Sequence, residues 1–266
     1  MLIEKIDLSL PPFLAIDEKD THVSEDAIRF IDYGDLKQLQ IIAVVPYGLN
    51  LPTYMYESAL QNISDCFNIK KEKRSLFSAK YRRKFSLSNK TPMSVISATF
   101  VLNKRYITRD FSVEIPKTPL VTTLSALVDK IDYDSYREKN LRNMISICAF
   151  VTSYLETTGK THLKSRAKKL HVTNREWQTR ALLDLFNHAC RVKCREMKVP
   201  YYNLNIQTKE IWVNDGHAIF NKPLRNYLSY VNSLNLFAAL NEQKIPFQQE
   251  PMVKFLNQRF KVIIKE

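Results

Sequence analysis

Between residues 14 and 28 an apolar start runs into five acidic side chains, Asp17, Glu18, Asp20, Glu25 and Asp26, before a second apolar segment. Carboxylates crowded at a strand end repel each other unless a cation or hydrogen-bond donors sit among them. Oxygen donors of this kind suit a hard divalent cation such as Mg2+. The competing reading is an acidic surface turn, the better one for an isolated cluster. Other chemical signals are weaker. Gly159-Lys160-Thr161 imitates the end of a phosphate-binding loop, but the earlier glycine it needs is Tyr154, and the chain has only 4 glycines. His188, Cys190 and Cys194 lack a second ligand pair at finger spacing, so buried helix residues are the expectation. His22 and His217 stand alone.

Composition narrows the partners. The 266 residues carry a formal charge of +13, which favours a polyanion, nucleic acid or an anionic surface. With 45% hydrophobic and 11% aromatic residues the chain is folded rather than disordered. No apolar run approaches the roughly eighteen residues of a spanning helix, so a membrane partner is not expected. The first residues do not read as a signal peptide. Four scattered cysteines make a reduced, cytoplasmic compartment the default.

The elements that would position the acidic cluster can be read in order. Residues 1–12 form a lead-in closed by Pro11-Pro12. Strands are expected at 13–16, 27–33 and 39–45, the last a β-branched run. A short helix is expected at 53–67. Residues 70–84 are strongly basic with aromatics interleaved. Alternation of Val95, Ser97, Thr99 and Val101 with Ile96, Ala98, Phe100 and Leu102 predicts a strand, returning after Asn103-Lys104 as a second one at 106–115. Helices are expected at 120–129, 136–156, 176–197 and 223–240, with a basic helical tail at 246–264. Strands followed by helices imply an α+β domain. Residues 166–180 also imitate a DNA-reading helix-turn-helix. Their second helix runs on to Met197 with an apolar Leu182, Leu185 and Phe186 face that needs a core, so DNA is the lesser reading.

The order of residues in the opening stretch resembles the acidic motif of the RNase II / RNase R (RNB) exoribonuclease family. That motif has an Ile-Asp pair, a Thr four residues after the Asp, and Asp-x-Asp-Asp-Ala. Here Ile16-Asp17 and Thr21 match, while Val23, Glu25 and Asp26 stand at the three acidic places. Other pieces follow in the family's order. Phe85-Ser86-Leu87 is similar to its Cys-Ser-Leu, and 119–128 falls at its Leu-Thr-Tyr segment and helix. Residues 181–189 resemble its Leu-Val-Glu-Glu-Phe-Met helix, with Asp184 for the second Glu. Asn221-Lys222-Pro223-Leu224-Arg225-Asn226-Tyr227 resembles Thr-Ser-Pro-Ile-Arg-Arg-Tyr, and Leu256-Asn257-Gln258-Arg259 its closing segment.

The resemblance implies a single RNB-like α+β domain over 13–260, a mixed or antiparallel sheet covered by several long helices, without evident cold-shock or S1 domains. It implies catalytic roles for Glu25, Asp26 and Arg225, and Mg2+ ligation by Asp17, Glu25 and Asp26. Four departures weaken this. Val23 cannot ligate a cation. Glu25 is one methylene too long for a site with tight tolerances. Asn226 replaces a second basic residue, and Ser229 replaces a downstream Asp. Mg2+ binding is therefore expected to be weakened or lost, and hydrolysis with it. RNA binding rests on other groups, for which Lys71, Arg74, Tyr81, Arg82, Arg83, Arg225 and Tyr227 are the candidates. The first expectation is a degenerate RNB-fold protein binding single-stranded RNA or a protein partner. The alternatives are an active divergent Mg-dependent 3′–5′ exoribonuclease and a DNA-binding or protein-interaction module.

Overall fold

The β-branched runs of the N-terminal half build a six-stranded sheet in the order β5-β4-β3-β2-β1-β6. A computed structural model describes residues 10–17, 23–33, 36–48, 77, 79–103, 120–132, 175–205 and 207–264. The strands are β1 (Phe13–Asp17), β2 (Asp26–Asp32), β3 (Leu36–Val44), β4 (Met93–Asn103), β5 (Leu120–Ala126) and β6 (Val128–Asp132). Neighbours are antiparallel except β1 and β6, which run parallel. One row across the sheet, Ile28, Ile41, Ala98 and Val121, is apolar and buried. The next row, Arg29, Gln40 and Thr99, is polar and joined by side-chain hydrogen bonds. This alternation is the period-two signature of a sheet with unlike faces.

Helix α1 (Ala79–Phe85) precedes β4. The 22-residue α2 (Arg175–Glu196) packs across β3, β4 and β5 with Leu182, Leu185, Phe186 and Ala189 buried. A second, three-stranded sheet holds β7 (Tyr202–Asn205), β8 (Glu210–Val213) and β9 (Lys261–Ile264). Between β8 and β9 lie α3 (Tyr227–Leu240) and α4 (Gln249–Leu256). No described helix is long and apolar enough to cross a membrane.

Twelve consecutive residues of α3, Tyr227 to Ala238, are buried, so this helix is the central post of the C-terminal half. Its polar side chains are spent on the backbone of surrounding loops. Asn232 accepts from the Tyr202 N–H at 2.8 Å and donates to the Tyr202 and Ile219 carbonyls at 2.9 and 3.2 Å. Asn235 holds the N–H and C=O of Phe247 at 3.0 and 2.9 Å and reaches the Pro200 carbonyl. Both amides act as a short piece of neighbouring strand would.

Several sequence expectations change. Residues 120–129 are two strands rather than a helix. The Val121-Thr122-Thr123 run has β character, and pairing with β4 on one side and β1 on the other decides the matter. The tail 246–264 is α4 followed by a strand, because Val262-Ile263-Ile264 pairs in parallel with β8. Helix α3 starts at Tyr227 rather than residue 223, since residues 222–226 form a turn closed from the Asn226 N–H to the Lys222 carbonyl at 2.9 Å. Strands β7 and β8 have no counterpart among the sequence expectations. Among the described residues two of the four helices are long, and α1 and α4 have only 7 and 8 residues. The α+β class stands. The elements expected at 53–67, 106–115 and 136–156, and the start of the helix-turn-helix imitation, lie outside the described residues.

Candidate active site

Asp17 closes β1 and Asp26 opens β2. These strands are antiparallel neighbours, so both carboxylates emerge at one end of the large sheet. The segment entering β2 is fixed on two sides. The Val44 N–H donates to the Glu25 carbonyl at 2.8 Å, and the Leu87 N–H to the Ser24 carbonyl at 2.9 Å. The Ser24 N–H donates to Ser86 Oγ at 2.9 Å. The Ser24 hydroxyl donates to Asp17.

Glu25 points into the protein, 2% exposed. Oε1 accepts the Leu224 N–H at 2.7 Å, and Oε2 accepts from Arg225 Nε in an ion pair. Asp26 accepts from Asn221 Nδ2 at 3.4 Å. Asn221 in turn accepts from Asn187 at 3.0 Å, and Asn187 accepts the Phe220 N–H at 2.8 Å, linking the cluster to α2. The two C-terminal departures from the family signature have structural work here. Asn226 is the N-cap of α3 and accepts the Ser229 N–H at 2.9 Å. The Ser229 hydroxyl accepts the Lys222 N–H at 3.0 Å, closing the turn that carries Arg225.

Burial raises the pKa of all three carboxyls. Asp26 is pushed up to about 7 by burial and by the charges of Glu25 and Asp17. For Asp17 the Ser24 hydrogen bond, Lys130 and Arg225 offset part of the burial effect. Burial works against the charge of Arg225, but Glu25, Asp26 and Asp17 together raise its pKa. The cluster thus offers a carboxyl that titrates near neutrality and a guanidinium held at Nε, its side chain 53% exposed.

The resemblance implies Mg2+ held by Asp17, Glu25 and Asp26. Asp17, Glu25 and Asp26 come together electrostatically, but no group of three or more His, Cys, Asp or Glu side chains among the described residues is arranged to hold a metal ion. Both oxygens of Glu25 are engaged, one with Leu224 and one with Arg225. Val23 packs against the apolar core. Glu18, Asp20 and Thr21 lie outside the described residues.

Of the residues expected to touch RNA, Lys71 and Arg74 lie outside the described residues. Tyr81, Arg82 and Arg83 sit on α1, where Lys80, Tyr81, Arg83 and Lys84 are exposed. Tyr227 is buried, its ring stacked on Tyr230 at 6.4 Å and close to Phe255 at 6.2 Å. Cys190 and Cys194 are buried free thiols with pKa values raised by burial, consistent with core residues. Sequence reasoning missed Ser24, Asn187 and the Leu224 N–H. Leu224 adjoins Arg225 inside the Pro-Leu-Arg signature, and Ser24 lies inside the acidic motif, but neither carries a type-specific signal.

No protein-family model matches the sequence, and no curated protein matches it. Solved structures do share the fold. An active-site mutant of the Dss1 exoribonuclease from Candida glabrata superposes with a TM-score of 0.65 at 15% identity, over 94% of this chain and 43% of that one. Yeast Ssd1, a pseudonuclease, gives 0.65 at 11% identity, over 94% and 42%. Mycoplasma genitalium RNase R in complex with double-stranded RNA gives 0.59 at 10% identity, over 94% and 60%. The chain therefore has an RNB-like fold and spans less than two thirds of these structures' length.

Proposed function

We propose, starting from that fold, that this chain binds single-stranded RNA and has lost, or strongly reduced, 3′–5′ exoribonuclease chemistry. The observation that carries the reading is the Glu25 lock. Phosphodiester hydrolysis needs a metal-activated water and a free positive charge on the phosphate in flight. Here the carboxylate at a metal place has turned inward to neutralise the arginine at the phosphate place. Both halves of the reaction are answered by each other. That yeast Ssd1, with the same fold, is a pseudonuclease supports the reading, as does the RNase R complex with RNA.

RNA affinity on this reading comes from groups outside the lock. Lys80, Arg83 and Lys84 of α1 face solvent, where binding to phosphates is driven by counterion release. Purified protein mixed with 3′-extended single-stranded RNA and Mg2+ or Mn2+ is expected to bind in a salt-sensitive way and leave the RNA intact. Metal-dependent shortening that disappears in Asp26→Asn would establish an active enzyme instead. No binding at low salt would leave the protein-partner reading. A second expected outcome concerns α1. Lys80→Glu with Arg83→Glu should lower RNA affinity by roughly tenfold or more, and should flatten the salt slope by about 0.7 for each phosphate no longer neutralised. An unchanged slope would remove α1 from the interface.

A further inference from the structure

We infer that a cavity beside the N-terminus of α3 takes a nucleobase of the bound single strand, while the strand's phosphates run along α1. The inference rests on the RNA-binding reading and assigns it a base site. The cavity has a volume of about 320 Å3, at the small end of the range for ligand pockets. Phe247 and Phe255 form its aromatic walls, with the buried Tyr227 behind them, Pro251 beside them and Lys244 and Gln248 as polar lining residues. Phe247 and Phe255 are half-exposed, and Lys244 and Gln248 are exposed.

The walls are held in place. Asn235 bonds both the N–H and the C=O of Phe247, so that residue's backbone is fixed. Tyr230 meets Phe247 edge-on at 5.9 Å and stacks with Tyr227 at 6.4 Å. A site built this way is pre-organised, and ordering it on binding costs little.

Tyr230 also joins this cavity to α1. Its ring meets Phe77 edge-on at 5.5 Å, two residues before α1 begins. The other end of α1 is tied to the acidic segment through Ser86 and Leu87. The helix is thus strung between the aromatic cavity and the carboxylate cluster. It carries Lys80, Arg82, Arg83 and Lys84 and no acidic residue. Aromatic walls edged by Lys244, with a basic helix reached through the Phe247–Tyr230 and Tyr230–Phe77 ring contacts, are a combination that suits unpaired nucleic acid: each base has a π-face and each phosphate a charge. An apolar peptide would use the rings but not the basic helix, so charge favours RNA.

The test uses a short oligouridylate, an otherwise identical oligomer with abasic sites, and fluorescence of an oligomer carrying 2-aminopurine. Quenching of the fluorophore and a roughly tenfold loss of affinity for the abasic oligomer are expected with the wild-type chain. Phe255→Ala should lose about tenfold for the intact oligomer and show no further abasic penalty, as a shared interaction requires. Phe255→Tyr, which keeps the ring, should behave as wild type. The abasic comparison needs no variant, so it decides even if Phe255→Ala does not fold. Equal affinity for intact and abasic RNA overturns the base site and leaves RNA binding standing. No RNA binding at low salt overturns both. Capture of an apolar peptide in the cavity without an abasic penalty assigns it to a protein partner and overturns the inference.

Discussion

Asp26→Asn is expected to make the protein more stable at pH 8 and to flatten its stability between pH 4 and 7. The carboxyl of Asp26 ionises near 3.8 in an unfolded chain and near 7 in the fold, because burial and the charges of Glu25 and Asp17 disfavour its anion. Below about pH 3.8 it is protonated in both states and contributes no penalty. As pH rises toward 7, the unfolded chain releases the proton more readily than the folded one, so folding stability falls. Above about 7 the folded protein carries the anion and the full penalty. Asparagine cannot ionise, and its carbonyl still accepts from Asn221, the present partner of Asp26. The gain at pH 8 should be roughly 2–4 kcal/mol. Thermal melts of both proteins from pH 4 to 8 check it. Parallel curves would mean that Asp26 ionises normally in the fold.

Asn232→Ala is expected to cost roughly 3–5 kcal/mol, because it strands one N–H and two carbonyls in the interior. The side chain is fully buried on α3 and closes hydrogen bonds to both polar groups of Tyr202 and to Ile219. Tyr202 opens β7, so the loss falls where the small sheet meets its central helix. For a chain of this size that is a drop in Tm of roughly 10 °C. Asn232→Asp should fare no better, since a carboxylate cannot donate to the two carbonyls. Ser233→Ala, which removes a single bond to the Phe220 carbonyl, is the control and should cost about 1 kcal/mol. Chemical denaturation of the three variants measures the difference. A cost for Asn232→Ala no larger than that of Ser233→Ala would show that the loops hold themselves.

Both expectations follow from polar groups whose meaning depends on their neighbours. Glu25 and Asp26 are adjacent in sequence and identical in formal charge, yet one is buried against an arginine and the other against an asparagine. The loss of the ligand at Val23 was readable from the residue itself, since an apolar side chain cannot hold a cation. The inward turn of Glu25 was not. It depends on the Leu224 N–H and Arg225, about 200 positions away, arriving at the same sheet end. Asn226 and Ser229 likewise read as losses from a motif, and the fold gives them to the cap and turn that hold Arg225.

Residue types and their order alone determined the α+β class, strands β1 to β4, the long helix α2 and the likeness to RNB exoribonucleases, because alternation and β-branched runs report how a segment meets a core. Tertiary structure alone decided that 120–132 are strands, that the tail ends in one, and that Glu25 locks Arg225. A strand forms where a neighbouring strand takes up its backbone hydrogen bonds, and a buried charge persists where its partner sits. Both partners here lie far along the chain, beyond what a local pattern can record.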